Sequence, residues 1–161
     1  MTDDMRRMEA EGLAHARETV QMVLRDWDLM TWNQLLAEDV VLSLRLDAPA
    51  VNQAGGLGGV NGNLQVTGRD EAKRVLKSIY RDLRSGLLVT TEIIRGHDVV
   101  LLGNLALRST IENRNASSLP IMLYMALNDE GRVEKLTIAA VDVQPLADVI
   151  CKAVEGAMRV A

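Results

Sequence analysis

Four strand-like runs follow one another in the second half of the chain: LLVTTEIIR from Leu87, VVLLGNLALRSTI from Val99, LPIMLYMAL from Leu119 and VEKLTIAAVDV from Val133. Gly96-His97-Asp98, residues 113 to 118 and Asn128-Asp129-Glu130-Gly131 separate them, and links this short make antiparallel neighbours. A meander of this kind presents two sheet faces. The third run is apolar on both, with Leu119, Ile121, Leu123, Met125 and Leu127 alternating against Met122, Tyr124 and Ala126. Something must cover each face.

The first half supplies helices. Leu13, Ala16, Val20, Val23 and Trp27 recur in steps of three and four, the stripe of a long amphipathic helix. Asp28-Leu29-Met30 interrupts it, and Thr31-Trp32-Asn33-Gln34 has the form of a capping box that starts a short second helix through Leu36. VVLSLRL at 40 to 46 then alternates Val40, Leu42, Leu44 and Leu46 with more polar neighbours, the period of a strand with one buried face.

Residues 48 to 66 contain five glycines and no period; they read as a long flexible loop and suggest a lid. A third helix follows from about Asp70, with Ala72, Val75, Leu76, Ile79 and Leu83 as its stripe, Asp70 and Glu71 at its positive end and Gly86 as its C-cap. Pro145 opens a last helix over 145 to 159. The order helix, helix, strand, loop, helix, meander, helix is an α+β fold.

Composition narrows the function. One domain over residues 1 to 161 accommodates the length. A net charge of -4 with alternating signs offers no basic stripe for nucleic acid. The N-terminal MTDDMRRMEAEG lacks the apolar core of a signal peptide, no run is long enough to span a bilayer, and the chain is expected in the cytoplasm, away from membranes. Cys151 is alone, which excludes an internal disulfide and a cysteine-rich zinc site; no metal and no cofactor are expected. The run Gly56-Leu57-Gly58-Gly59 neither follows a strand directly nor opens a helix, as a phosphate cradle must.

This order of elements, together with TWNQLLAEDVVL, VTGRDEAKRVL and NDEGRVEKL, resembles the nuclear transport factor 2-like superfamily, in particular its SnoaL-like branch of polyketide cyclases and ketosteroid isomerase relatives. The resemblance spans roughly Val20 to Val143. It implies a cystatin-like cone: a strongly curved antiparallel sheet wrapped around the N-terminal helices, here with an extra C-terminal helix, enclosing an apolar pocket, with homodimers formed through the outer sheet face. On that reading Met122, Tyr124 and Ala126 face the cone interior, and Leu119, Ile121, Leu123, Met125 and Leu127 face a partner subunit or the last helix.

The branch chemistry can be tested residue by residue. Aligning AEDVVL without gaps places the steroid isomerase tyrosine at Val20 and its base at Leu44, and its protonated acid falls at Met122; none of these side chains moves a proton. Losing even one oxyanion donor costs about a hundredfold, so that mechanism is excluded. The Asp-Arg-Asp cluster of limonene epoxide hydrolase is matched only by Arg108 and Asp142, whose neighbours are leucine and alanine.

The cyclase branch uses a pocket aspartate, and Asp142 is the nearest candidate, although it equally suits the end of a strand before Gln144-Pro145. Tyr124 could hold the polar end of a ligand or simply a structural partner. Asp47 could stand at the pocket mouth or serve a turn. His97 lies in a hairpin turn and His15 on the polar side of the first helix, without partners at ligand spacing.

Asp142, Asp47 and Tyr124 are therefore the catalytic candidates, and Val20, Leu44, Met122, Tyr124, Ala126 and Asp142 the expected pocket lining. Two functions stay open: binding a small, mostly apolar molecule with isomerase, cyclase or hydrolase chemistry, or a noncatalytic ligand-binding or dimerisation module, an accessory subunit included, whose interior is filled.

Overall fold

The computed structural model describes residues 3–25, 29–53, 55–107, 117–140 and 152–156. Helix α1 (Asp3–Arg25) opens on Asp3 and Asp4, which suit its positive end. It begins ten residues before the apolar stripe, and Leu13 is exposed while Ala16, Thr19 and Val20 are buried. Helix α2 (Leu29–Leu35) already includes Thr31, so the expected capping box lies inside the helix rather than at its start.

Strand β1 (Leu36–Leu46) follows α2 without a loop. Between Leu36 and Val41 its register against the last strand shifts, a β-bulge that bends the strand.

The glycine-rich segment is not a structureless lid. It contains the short helix α3 (Pro49–Gln53) and strand β2 (Gly62–Thr67), which pairs antiparallel with β1. Leu57 and Val60 exchange backbone hydrogen bonds of 2.7 and 2.9 Å around Gly58-Gly59, and Ala48, Val51 and Leu57 are buried. Gly58, at φ 57°, has a tertiary reason: a Cβ there would meet the Ser78 carbonyl oxygen of helix α4 at 1.7 Å. Glycine permits both the left-handed backbone and the close approach. At Gly58, then, glycine reports contact with a helix rather than mobility.

Helix α4 (Arg69–Gly86) buries Ala72, Val75, Leu76, Ile79 and Leu83, the stripe read from sequence. Each of the larger four contributes about 1.5–3 kcal/mol by leaving water. Gly86 is not a left-handed cap. The chain passes from it straight into β3 (Leu87–Arg95), and a Cβ on Gly86 would lie 2.8 Å from the Ala106 carbonyl oxygen.

The meander continues with β4 (Asp98–Leu107), β5 (Ser117–Leu127) and β6 (Val133–Ala140). The Gly96-His97 turn joins β3 to β4, and the Asn128 side-chain oxygen accepts hydrogen bonds from the Glu130 and Arg132 amides to close the β5–β6 turn.

The sheet order is β2-β1-β6-β5-β4-β3, antiparallel throughout except that β1 runs parallel to β6. Helices lie on one face of this curved, unclosed sheet, as in the expected α+β cone. α4 packs on β1 and β4, and α1 reaches β3 and β4. Residues 152–156 of the expected C-terminal helix are helical, with Ala153 and Val154 exposed.

Candidate functional site

Helix-covered and open faces fall the opposite way round from the sequence expectation. Leu119, Ile121, Leu123, Met125 and Leu127 are buried beneath the helices, together with Leu42, Leu44, Leu136 and Ile138. Met122 and Tyr124 alternate with them and so stand on the outer face. A strand with two apolar faces carries no mark of which one meets the helices; a one-residue shift exchanges them.

Among the described residues the space beneath the helices is small. Trp32, Leu35, Leu36, Leu76, Leu123, Met125, Val133 and Leu136 enclose a cavity of about 10 Å³, room for a single water molecule in a lining that offers it no hydrogen bond. Trp32 meets Tyr80 edge to face, with ring centroids 5.8 Å apart. Lys73 Nζ donates to Asn33 Oδ1 at 2.7 Å and Arg69 Nε donates to the Leu36 carbonyl at 3.1 Å, so α4 is tied to the α2–β1 junction. Thr19 is the one buried polar side chain among the described residues.

The expected pocket residues do not converge. Val20 and Leu44 lie in the apolar core, Met122 and Tyr124 on the outer face, and Ala126 is buried beside a register shift near the end of β5. Asp47 is exposed just past β1. Asp142 and Arg108 lie outside the described residues.

The Tyr124 hydroxyl donates to Asp98 Oδ1 at 2.8 Å. That bond, then burial, then the negative charges of Asp98 and Glu134, push the phenol above its ordinary pKa. Tyr124 is thus held protonated and occupied, a poor proton acceptor near neutrality.

Two cross-strand rows organise the outer face. One runs Ile93, Val100, Tyr124, Thr137, Ser43, Gln65; the next runs Thr91, Leu102, Met122, Ala139, Arg45, Asn63. Apart from Thr91 and the Tyr124 hydroxyl, the rows are apolar over β3 to β5, and they are polar over β1 and β2. Leu88, Ile93 and Leu102 are 68%, 50% and 37% exposed there. A cleft of about 200 Å³ lies between β1 and β2, lined by Ser43, Arg45, Asn63 and Gln65 and by Leu44 and Leu64.

Sequence reasoning expected an apolar outer face but assigned it the wrong residues of β5 and left out β3 and β4, and it missed the cleft. VVLLGNLAL is apolar on both faces just as LPIMLYMAL is, with Val99, Leu101 and Leu105 inside and Val100 and Leu102 outside. Asn63 and Gln65 were hidden in a stretch read as loop.

Among the described residues no group of three or more His, Cys, Asp or Glu is placed to hold a metal, and no helix is long and apolar enough to cross a membrane. No protein-family model and no curated protein matches the chain.

Solved structures match its fold. A protein described as a SnoaL-like polyketide cyclase from Jannaschia sp. CCS1 is 14% identical, aligned over 84% of this chain and 90% of its own at a TM-score of 0.54. An NTF2-like protein of unknown function from Mesorhizobium loti is 17% identical over 88% and 98%, at 0.53. A de novo designed protein with a curved β-sheet is 10% identical over 87% and 97%, at 0.56. The chain has the SnoaL-like, NTF2-like fold, and a designed protein with the same architecture underlines that this fold by itself dictates no activity.

Proposed function

We propose that this chain is a single-domain, cytoplasmic SnoaL-like protein that works as a noncatalytic dimerisation module, pairing with a second copy through the outer face of its sheet. The observation that carries this reading is the contrast between the two faces. Among the described residues the helix-covered side encloses a cavity of about 10 Å³, far below the several hundred needed for a substrate. The open side presents Ile93, Leu102, Met122 and Tyr124 in adjacent rows. A contiguous apolar surface of this kind marks an interaction site.

Catalysis of the isomerase, cyclase or hydrolase kind needs a proton-carrying group against the substrate. The described interior offers none beyond Thr19, which sits in α1 among apolar neighbours. Asp98 and Tyr124 satisfy each other on the outer surface.

Sedimentation velocity tests the proposal. The wild type is expected as a dimer, and Leu102→Glu or Met122→Lys as a folded monomer with an unchanged circular dichroism spectrum. A wild-type monomer at the highest attainable concentration would overturn self-association and leave this face to a different protein.

A second reading, binding of a small apolar molecule, draws on the wholly apolar lining of the interior cavity. Native mass spectrometry of protein purified without additives decides it, since a retained mass between the apo peaks supports a carrier and bare protein does not.

A further inference from the structure

We infer that the cleft between β1 and β2 is a binding site for a small monocarboxylate bearing hydroxyl groups. Its walls are set by strand register rather than by flexible loops: Ser43 faces Gln65 and Arg45 faces Asn63 across an antiparallel pair. Directly opposed side chains on one face stand about 4.5–5.5 Å apart at Cβ, and Ser43, Arg45, Asn63 and Gln65 all line one volume of about 200 Å³. That is smaller than the ~300–1,000 Å³ of sites for drug-sized ligands and suits a compact acid.

Each group has a distinct part. The guanidinium of Arg45 presents a planar fork that matches a carboxylate, and it forms no ion pair among the described residues. Its neighbour on the far side, in β6, is Ala139, whose methyl group leaves the flank of the fork open. The facing residues are neutral amides. Asn63 and Gln65 both donate and accept, as does Ser43, which fits hydroxyl groups better than a second charge.

Asp47 follows the end of β1, two residues beyond Arg45, and is exposed. Its negative charge disfavours phosphate and dicarboxylates relative to a single carboxylate. The cleft lies two strands from Met122, about 10 Å at ordinary strand spacing, toward the β2 edge of the sheet, and does not use the interior cavity.

Gluconate is the probe, followed by backbone amide chemical shifts. Saturable shifts at Ser43, Asn63 and Gln65 are expected, with glucose, acetate and sulfate each at least about tenfold weaker, as loss of a hydrogen bond to a charged group or of several neutral ones requires. Arg45→Gln should abolish the gluconate response and Arg45→Lys should retain part of it, because a point charge survives without the fork. Asn63→Ala should weaken gluconate while leaving acetate unchanged. Absence of saturable shifts overturns the proposal, as does an equal response to glucose or to sulfate, or a response that survives Arg45→Gln. All four positions are solvent-accessible, so the variants keep the fold, and an unchanged amide spectrum away from the cleft verifies this.

Discussion

Tyr124 on β5 donates its hydroxyl proton to the carboxylate of Asp98 on β4, 2.8 Å away, across a diagonal of the sheet, since the direct partner of Tyr124 is Val100 and that of Asp98 is Ala126. This pair decides what the outer-face tyrosine does: it is a hydrogen-bond donor within the chain. Tyr124→Phe should lower stability by at most about 1 kcal/mol, because both groups remain accessible to water.

The same pair has an alkaline signature. The folded-state pKa of Tyr124 is raised, so its contribution is full below the ordinary tyrosine value of about 10 and is lost as pH rises through the higher folded value. Urea midpoints measured upward from about pH 9 should fall for the wild type. They should fall less steeply for Tyr124→Phe; identical slopes would refute the assignment.

Leu123→Ala should enlarge the interior. Leu123 is fully buried against the cavity under Trp32, and truncation there costs about 2–5 kcal/mol. A dry apolar void of this type takes up benzene. Benzene should raise the melting temperature of Leu123→Ala but not of the wild type, whose cavity is too small. Equal stabilisation of both would mean that the native interior is not filled.

Gly58→Ala should loosen the α3–β2 segment. The new methyl group would collide with the Ser78 carbonyl on α4, in a left-handed backbone that alanine disfavours. A loss of about 1–3 kcal/mol is expected, with faster hydrogen exchange confined to residues 48 to 61. Gly59→Ala is the control, since nothing lies within 4 Å of its added Cβ; it should cost less than Gly58→Ala.

Ile93→Lys probes the outer face without touching the core. At 50% exposure the substitution should change the stability of an isolated subunit by no more than about 0.5 kcal/mol. A dimer melts at a temperature that rises with concentration. The wild type should show that dependence and Ile93→Lys should lose it; a concentration-independent wild type would argue against pairing.

Much of the architecture was legible because its signals are periodic and local. The stripe Ala72, Val75, Leu76, Ile79 and Leu83 is buried as read, and the Gly96-His97 and Asn128 to Gly131 turns join the strands they were expected to join. Strand β2 escaped because the sequence around it is crowded with glycine, and the reason for Gly58 lies twenty residues away at Ser78. The candidate site was less legible still. Val20 and Leu44 went to the core while Met122 and Tyr124 went to the surface.

The sequence by itself determined the long helices, strand β1, the antiparallel meander and the absence of the steroid isomerase donors at Val20, Leu44 and Met122, because helix period, strand period and side-chain chemistry are properties of neighbouring residues. Tertiary structure alone decided which face of β5 the helices cover, that β1 joins β6 in parallel, and that Arg45 stands opposite Asn63. Each of these is a choice between arrangements that satisfy the local pattern equally well. Only packing at long range, through α2 and α4 closing on Leu123 and Met125, separates their energies.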